Sequence, residues 1–345
     1  MSDSKLSEIH NMTRHSLSPG LRHSKGFSLI ELMVSMTIGL VIVGAALSAY
    51  LGAASAGKVA DAQGRMNEDA QAALSILTQQ LRMAGTNPNQ ANRVALSRHN
   101  PVYGTTTFTT SPGTFTLSNF TIRGCDGKFN SISTAAGTLD TLDTSTCATG
   151  TSTVPDSIAV NYEADRYNTV PTSGGLPTDC LGNTLSTITA TFPATTPTSA
   201  TSGTYWVADN RFYVGTSTAI VSPSLYCKGN GGSSTAQPLV ENIEDMQFTY
   251  GTVSTSTTST TATVAGYLRA DEVASLGTTP ANDLTRWGKV LSVRICILVR
   301  SENPVAPDAN SAKYDDCLGN RNVSAPDLRL RRAYSTTVVL RNRRF

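Results

Sequence analysis

Lys25-Gly26-Phe27-Ser28-Leu29-Ile30-Glu31-Leu32-Met33-Val34 places a single carboxylate at the entrance of a long apolar run. From Leu32 to Gly57 there are 26 residues without a charged side chain, enough at about 1.5 Å per residue to cross a hydrocarbon core of roughly 30 Å as a helix. Glu31 is therefore a candidate functional residue, because a carboxylate at membrane depth must find a partner or give up its charge. Arg14, Arg22 and Lys25 precede it, with Asp3 and Glu8 further out. A basic flank of this kind is expected to stay in the cytoplasm while everything after Gly57 crosses. An ordinary secretory signal has an apolar run of roughly 7–15 residues followed by its cleavage site. The run here is longer, so an ordinary secretory cleavage after it is not expected.

Gly26-Phe27-Ser28-Leu29-Ile30-Glu31 resembles the type IV prepilin signature. The resemblance implies that a membrane peptidase cuts between Gly26 and Phe27, that Phe27 is N-methylated, and that Glu31 is the fifth residue of the mature chain. The physics of Glu31 fits: the ammonium of Phe27, in the same or a neighbouring subunit, would offset the cost of burying the carboxylate. The other reading of Glu31 is a carboxylate that snorkels to the headgroups without a partner. Small residues recur every four positions, as Gly44, Ser48, Gly52, Ala56 and as Ala45, Ala49, Ala53, Gly57, a spacing that lets helices approach closely in lipid or in a filament core.

Beyond the apolar run the helix is expected to continue. Met66, Ala70, Ala73, Leu77, Leu81 and Ala84 fall at spacings of three and four with Leu74 beside them, while Arg65, Glu68, Asp69, Gln79 and Arg82 take other faces. Gly85 followed by Thr86, Asn87 and Pro88 stops it. The expected organisation is a leader over 1–26, a transmembrane helix over 27–57, its amphipathic continuation over 58–85, and a Ser/Thr-rich head over 86–345. The leader takes four basic and two acidic side chains from the chain's 27 and 25, leaving 23 of each. A formally neutral mature chain is unlike a general nucleic-acid binder.

All six cysteines, Cys125, Cys147, Cys180, Cys227, Cys296 and Cys317, follow the apolar run. An even count on the translocated, oxidising side reads as disulfides, with about 15 connectivities possible for six cysteines. Sequential pairing, 125 with 147, 180 with 227 and 296 with 317, closes each loop without a remote crossing. The pentapeptide Asp-Cys-Leu-Gly-Asn occurs at 179–183 and again at 316–320, and its Gly-Asn suits a tight turn just after a stapled cysteine. Ser, Thr, Gly and Pro dominate from Pro101 to Thr263, a composition of strands and loops. Strands are expected at Ser157–Glu163, Thr204–Val207, Arg211–Val214 and Met246–Tyr250, with Thr252–Thr263 a loop or edge strand. Leu291, Val293, Ile295, Ile297 and Val299 alternate within Lys289–Arg300, a strand with one buried face and Cys296 on the other. Arg332–Asn342 is a final strand. The fold class is α+β: a long N-terminal helix on an antiparallel sheet.

Leu239 to Gly251, Trp287 with Val290-Leu291-Ser292-Val293-Arg294, and Thr336 to Asn342 resemble the C-terminal blocks of PilW-type minor pilins. The resemblance implies a structural, assembly-priming subunit at or near the tip of a type IV pilus. Its implied partners are other minor and major pilins, prepilin peptidase and the inner-membrane assembly platform; its head stands in the periplasm before assembly and on the extracellular pilus afterwards. The alternatives are a pseudopilin of type II secretion and a tip module that binds a surface or DNA.

Catalysis needs a base, a nucleophile or a metal in mutual reach. His10, His15 and His23 belong to the leader, and His99 sits in a polar stretch beside Asn100 and Pro101. Asn230-Gly231-Gly232-Ser233 is a turn and no phosphate cradle. Asp308, Asp315 and Asp316 do not have the spacing of a calcium loop. The expectation is no enzyme, no metal and no cofactor. Arg329, Arg331, Arg332, Arg341, Arg343 and Arg344 read as the exposed, charge-protected end of an edge strand, with a surface for DNA or an acidic neighbour as the second reading.

Overall fold

The computed structural model describes residues 26–87, 104–110, 113–119, 121–130, 147–148, 154–192, 201–218, 220–232, 235–253, 263–277 and 283–342. The chain divides into two units, Met1–Ala54 and Ser55–Phe345. One helix, α1 (Leu29–Met83), contributes to both. It begins two residues later than the sequence suggests, because Ser28 serves as its cap. It ends at Gly85, whose φ of 73° only a glycine adopts without strain.

Within the first unit α1 is apolar on every side and its large side chains are exposed, among them Leu40 at 78% and Met36 at 70%. Within the second unit the helix buries one stripe. Met66, Ala70, Ala73, Leu77, Leu81 and Ala84 are all nearly inaccessible, as their spacing predicts, and Leu74 is half-buried beside them. Burying a leucine side chain fully contributes about 1.5–3 kcal/mol, so Leu77 and Leu81 anchor this half. Asp69 departs from expectation: it is half-buried and accepts a hydrogen bond from Asn242 Nδ2 at 3.2 Å.

The head is built from antiparallel strands, as expected for this composition. In chain order they are β1 (Gly104–Thr110), β2 (Gly113–Asn119), β3 (Ile122–Cys125), β4 (Ser157–Glu163), β5 (Thr187–Phe192), β6 (Thr201–Gly215), β7 (Ser224–Lys228), β8 (Gln237–Glu241), β9 (Ile243–Val253), β10 (Val264–Leu268), β11 (Val290–Arg300) and β12 (Arg331–Val339). Two short helices, α2 (Ala270–Ala274) and α3 (Asp283–Trp287), precede β11. Among the described residues one sheet has eight strands, ordered β2-β1-β5-β6-β4-β3 with β7 pairing β6 and β8 pairing β7. The other has four, ordered β10-β9-β11-β12.

β4 has the bounds read from the sequence, and β11 buries Val293, Ile295, Ile297 and Val299 on one face. The two strands expected at 204–207 and 211–214 are instead one strand, β6, of 15 residues. Its middle, Ala208-Asp209-Asn210, continues the ladder to β4 because its polar groups are satisfied. Asp209 receives the Arg211 guanidinium at 2.9 Å, and the Asp209 N–H donates to Asn230 Oδ1 at 3.0 Å. Asn210 Nδ2 donates to Gln80 of α1 at 2.8 Å. Buried polar groups so paired do not end a strand. The second half of α1 is fastened at further points: Tyr334 Oη donates to Asn67 at 2.6 Å and Asn342 Nδ2 to the Arg82 carbonyl at 2.8 Å. Behind the helix, Tyr250 meets Trp287 edge-on with ring centroids 5.0 Å apart. Of the stretch 252–263, residues 252 and 253 end β9, and 254–262 lie outside the described residues.

Candidate functional site

The start of α1 carries the residues singled out by the sequence. Phe27 is 88% exposed, followed by exposed Leu29 and Ile30. Ser28 and Glu31 bond reciprocally. The Glu31 N–H donates to Ser28 Oγ at 3.2 Å, and the Ser28 N–H donates to Glu31 Oε2 at 3.3 Å. This is a capping box, which satisfies two backbone donors that a helix start otherwise leaves open. The acidic side chain also sits at the positive end of the helix dipole. The sequence reading passed over Ser28 as a cap, although Ser-x-x-Glu ahead of an apolar run announces it.

Inside the apolar run the hydroxyls find partners on their own helix. Ser35 donates to the Leu32 carbonyl at 2.9 Å, Thr37 to Val34 at 2.8 Å and Ser48 to Ala45 at 2.8 Å. Such back-bonding satisfies these three hydroxyls without water. A Cβ added at Gly44, Gly52 or Gly57 would meet nothing within 4 Å, so these positions form open shallow notches. Gly26 likewise has open space around it.

In the head the cysteines form three disulfides, Cys125–Cys147, Cys180–Cys227 and Cys296–Cys317, with Cα separations of 5.4, 6.5 and 5.6 Å. This is the sequential pairing the loops suggest. Burial pushes the Asp156 carboxyl up to about 7, against the pull of two backbone donors. Those are the N–H groups of Gly127 at 3.1 Å and Phe248 at 2.8 Å, so Asp156 ties the end of β3 to β9. Asp126 accepts from the N–H groups of Ala270 and Asp271 and so fixes the first turn of α2.

Asp308, Asp315 and Asp316 are not gathered into one site. Each accepts a backbone N–H of its own loop, from Ser311, Asn322 and Asn320 respectively. Among the described residues no group of three His, Cys, Asp or Glu side chains is disposed to hold a metal. His99 lies outside the described residues, as do Arg343 and Arg344. The arginine-rich end is partly an internal structure and not wholly an exposed face. Arg331 is 7% exposed and held between Glu244 at 2.6 Å and Asp327 at 2.7 Å. Arg329 also pairs with Asp327, whereas Arg332 and Arg341 are exposed. Asp327 is four residues away, but Glu244 comes from β9, and that distant carboxylate is what the local sequence does not announce.

Comparison with known families finds two matches. Residues 21–47 match the prokaryotic N-terminal methylation motif, and residues 211–342 match the PilW family, described as type IV pilus-assembly protein W. No curated protein and no solved structure matches the chain. The first match spans Gly26, Phe27 and Glu31; the second runs from within β6 to the end of the four-stranded sheet and contains the Cys296–Cys317 pair and Cys227, whose partner Cys180 lies before it. A methylation motif that runs into the exposed apolar helix and a PilW match over residues 211–342 of the antiparallel head together support a PilW-type minor pilin of a type IV pilus.

Proposed function

We propose that the chain is made as an inner-membrane precursor, cleaved after Gly26 by prepilin peptidase, methylated on Phe27 and then placed at or near the pilus tip, where it primes assembly. The observation that carries this reading is the lone carboxylate of Glu31, four residues after Phe27 on a helix whose apolar side chains are exposed all round. The capping box supports it further: Glu31 Oε2 already bonds the N–H of Ser28, the residue next to the ammonium that cleavage would create. In that position it can meet the ammonium of its own chain or of a neighbour while still closing the helix end.

The organisation proposed with it is a leader over 1–26, a membrane-spanning segment over 27–57, its continuation over 58–85 and a head over 86–345. The basic flank favours a cytoplasmic leader and a periplasmic head before assembly. The partners are other minor and major pilins and the inner-membrane assembly platform. The role is structural and not enzymatic, in keeping with carboxylates in the head that serve turns, helix starts and ion pairs.

Intact-mass analysis of the chain from sheared pili tests the reading. The expected species begins at methylated Phe27, and Gly26→Arg leaves the full-length precursor in the membrane. Any other mature N-terminus, or a Gly26→Arg chain processed as usual, would refute it.

A further inference from the structure

The two copies of Asp-Cys-Leu-Gly-Asn fold alike. In the first, Asp179 Oδ1 accepts the N–H groups of Leu181 at 2.9 Å and Asn183 at 3.0 Å, the Asp179 N–H donates to the Asn183 carbonyl at 3.0 Å, and Gly182 has φ 76°. In the second, Asp316 Oδ1 accepts from Leu318 at 3.0 Å and Asn320 at 2.8 Å, the Asp316 N–H donates to the Asn320 carbonyl at 3.0 Å, and Gly319 has φ 89°. Each turn is stapled through its cysteine to a strand, Cys180 to Cys227 on β7 and Cys317 to Cys296 on β11. The repeat is thus one rigid device used twice.

What the devices touch differs. The first is seated on Gly229-Asn230-Gly231. Asp179 Oδ2 accepts the Gly231 N–H at 2.9 Å, and a Cβ at Gly229 would overlap the Asp179 carboxylate. Leu181 packs on the hydrophobic core, and Asp179 is 6% exposed. The second copy has the same shape without the seat. Asp316 Oδ2 meets the amide of its own Asn320 at 2.8 Å, and Leu318 stands 43% exposed.

We propose that the 316–320 turn is a docking knob for a different subunit of the pilus, which receives it on an extended, glycine-bearing segment with a free backbone N–H and an apolar spot for Leu318. This rests on the reading of the chain as a pilus subunit. The first turn is the template for the chemistry: without side chains at Gly229 and Gly231, its seat lets the Asp179 carboxylate close directly onto the backbone. A second copy of this chain is not the proposed occupant, since its own seat of this kind is filled by Asp179. The staple to β11 and the two backbone bonds to Asp316 Oδ1 hold the knob in its bound shape beforehand, so docking loses little conformational freedom.

The test places a photo-crosslinking side chain at position 318 of the full-length protein and maps the product in intact pili. The expected link joins position 318 to another pilus subunit at a glycine-bearing extended segment, whereas the same side chain at position 181 links only within its own chain. Leu318→Asp, which leaves every bond of the turn in place, should lower recovery of the chain in pili by about tenfold or more, the scale of a lost leucine contact. Its mature mass and its three disulfides should be unchanged. No intermolecular link from position 318, a link to a second copy or to a glycine-free helix, or full recovery of Leu318→Asp overturns the docking role while leaving the pilus reading intact. Absence of the unsubstituted chain from sheared pili overturns both.

Discussion

The two halves of α1 have one backbone geometry and opposite surroundings. Residues 29–54 expose nearly every large side chain, while residues 55–83 bury Met66, Leu77 and Leu81 and expose Arg65, Glu68 and Arg82. In the first half hydroxyls bond back to their own helix; in the second, Asn67, Asp69 and Gln80 bond outward to the sheet. The difference teaches that the pattern of polar residues, and not helix propensity, assigns each half its solvent. A helix apolar all round needs lipid or other apolar helices, and one with a single stripe needs a sheet.

The largest effect is expected at the exposed half. Glu31→Ala removes the only charge from the apolar segment, so insertion should be undisturbed, while pilus entry should be lost; removing one member of a buried ion pair costs about 3–5 kcal/mol. Ser28→Ala removes one cap bond alone, a loss of about 0.5–2 kcal/mol, and should retain much of the assembly. Fractionation of sheared pili and membranes separates the two, and equal recovery of both variants would reduce Glu31 to a cap.

A paired substitution sharpens the contrast along the helix. Leu77→Ala should destabilise the head by about 2–5 kcal/mol, the usual range for a buried leucine, whereas Leu40→Ala should leave its melting unchanged. Thermal denaturation in detergent, followed at the head's tryptophans, reads both. Similar shifts would mean that the exposed half supports the head as much as the buried half does.

The smallest effect concerns pH and belongs to the head alone. The folded head holds the Asp156 proton up to about 7, far above the usual carboxylate range, because the side chain is buried. Asp69 and Asp245 are raised in the same direction by the same cause. The folded state therefore binds more protons than the unfolded state between about pH 4 and 7, and stability falls as pH rises through that window. The expected result is a lower melting temperature at the top of that window than at the bottom, at about 2–4 °C per kcal/mol for a domain of this size. Asp156→Asn should flatten it; an unchanged slope would assign the effect to other carboxylates.

The sequence displayed those features whose cause is local. Spacing alone identified the stripe from Met66 to Ala84, alternation identified β11, and proximity along the chain paired the cysteines. What it hid depends on side chains that converge only in the folded chain. β6 runs through Asp209 and Asn210 because Arg211, Asn230 and Gln80 satisfy them, and no local pattern announces those partners. Arg331 lies inside because Glu244 and Asp327 converge on it. At the candidate site the reverse held: Ser28 was visible in its own tetrapeptide and was masked by the attention Glu31 draws.

The disulfides have a consequence for where the head can change in length. Cys125 and Cys147, 22 positions apart, are tied together, as are Cys296 and Cys317, 21 positions apart. With its ends fixed covalently, a loop can grow at small cost, since each doubling of a flexible loop adds only about 0.6 kcal/mol. The stripe of α1 and the registers of β9 and β11 would feel nothing of such growth. Insertions and deletions in relatives of this chain should therefore gather between the members of these two cysteine pairs and not between Cys180 and Cys227, where β5 and β6 lie, giving the head segments that diversify quickly on a frame that does not.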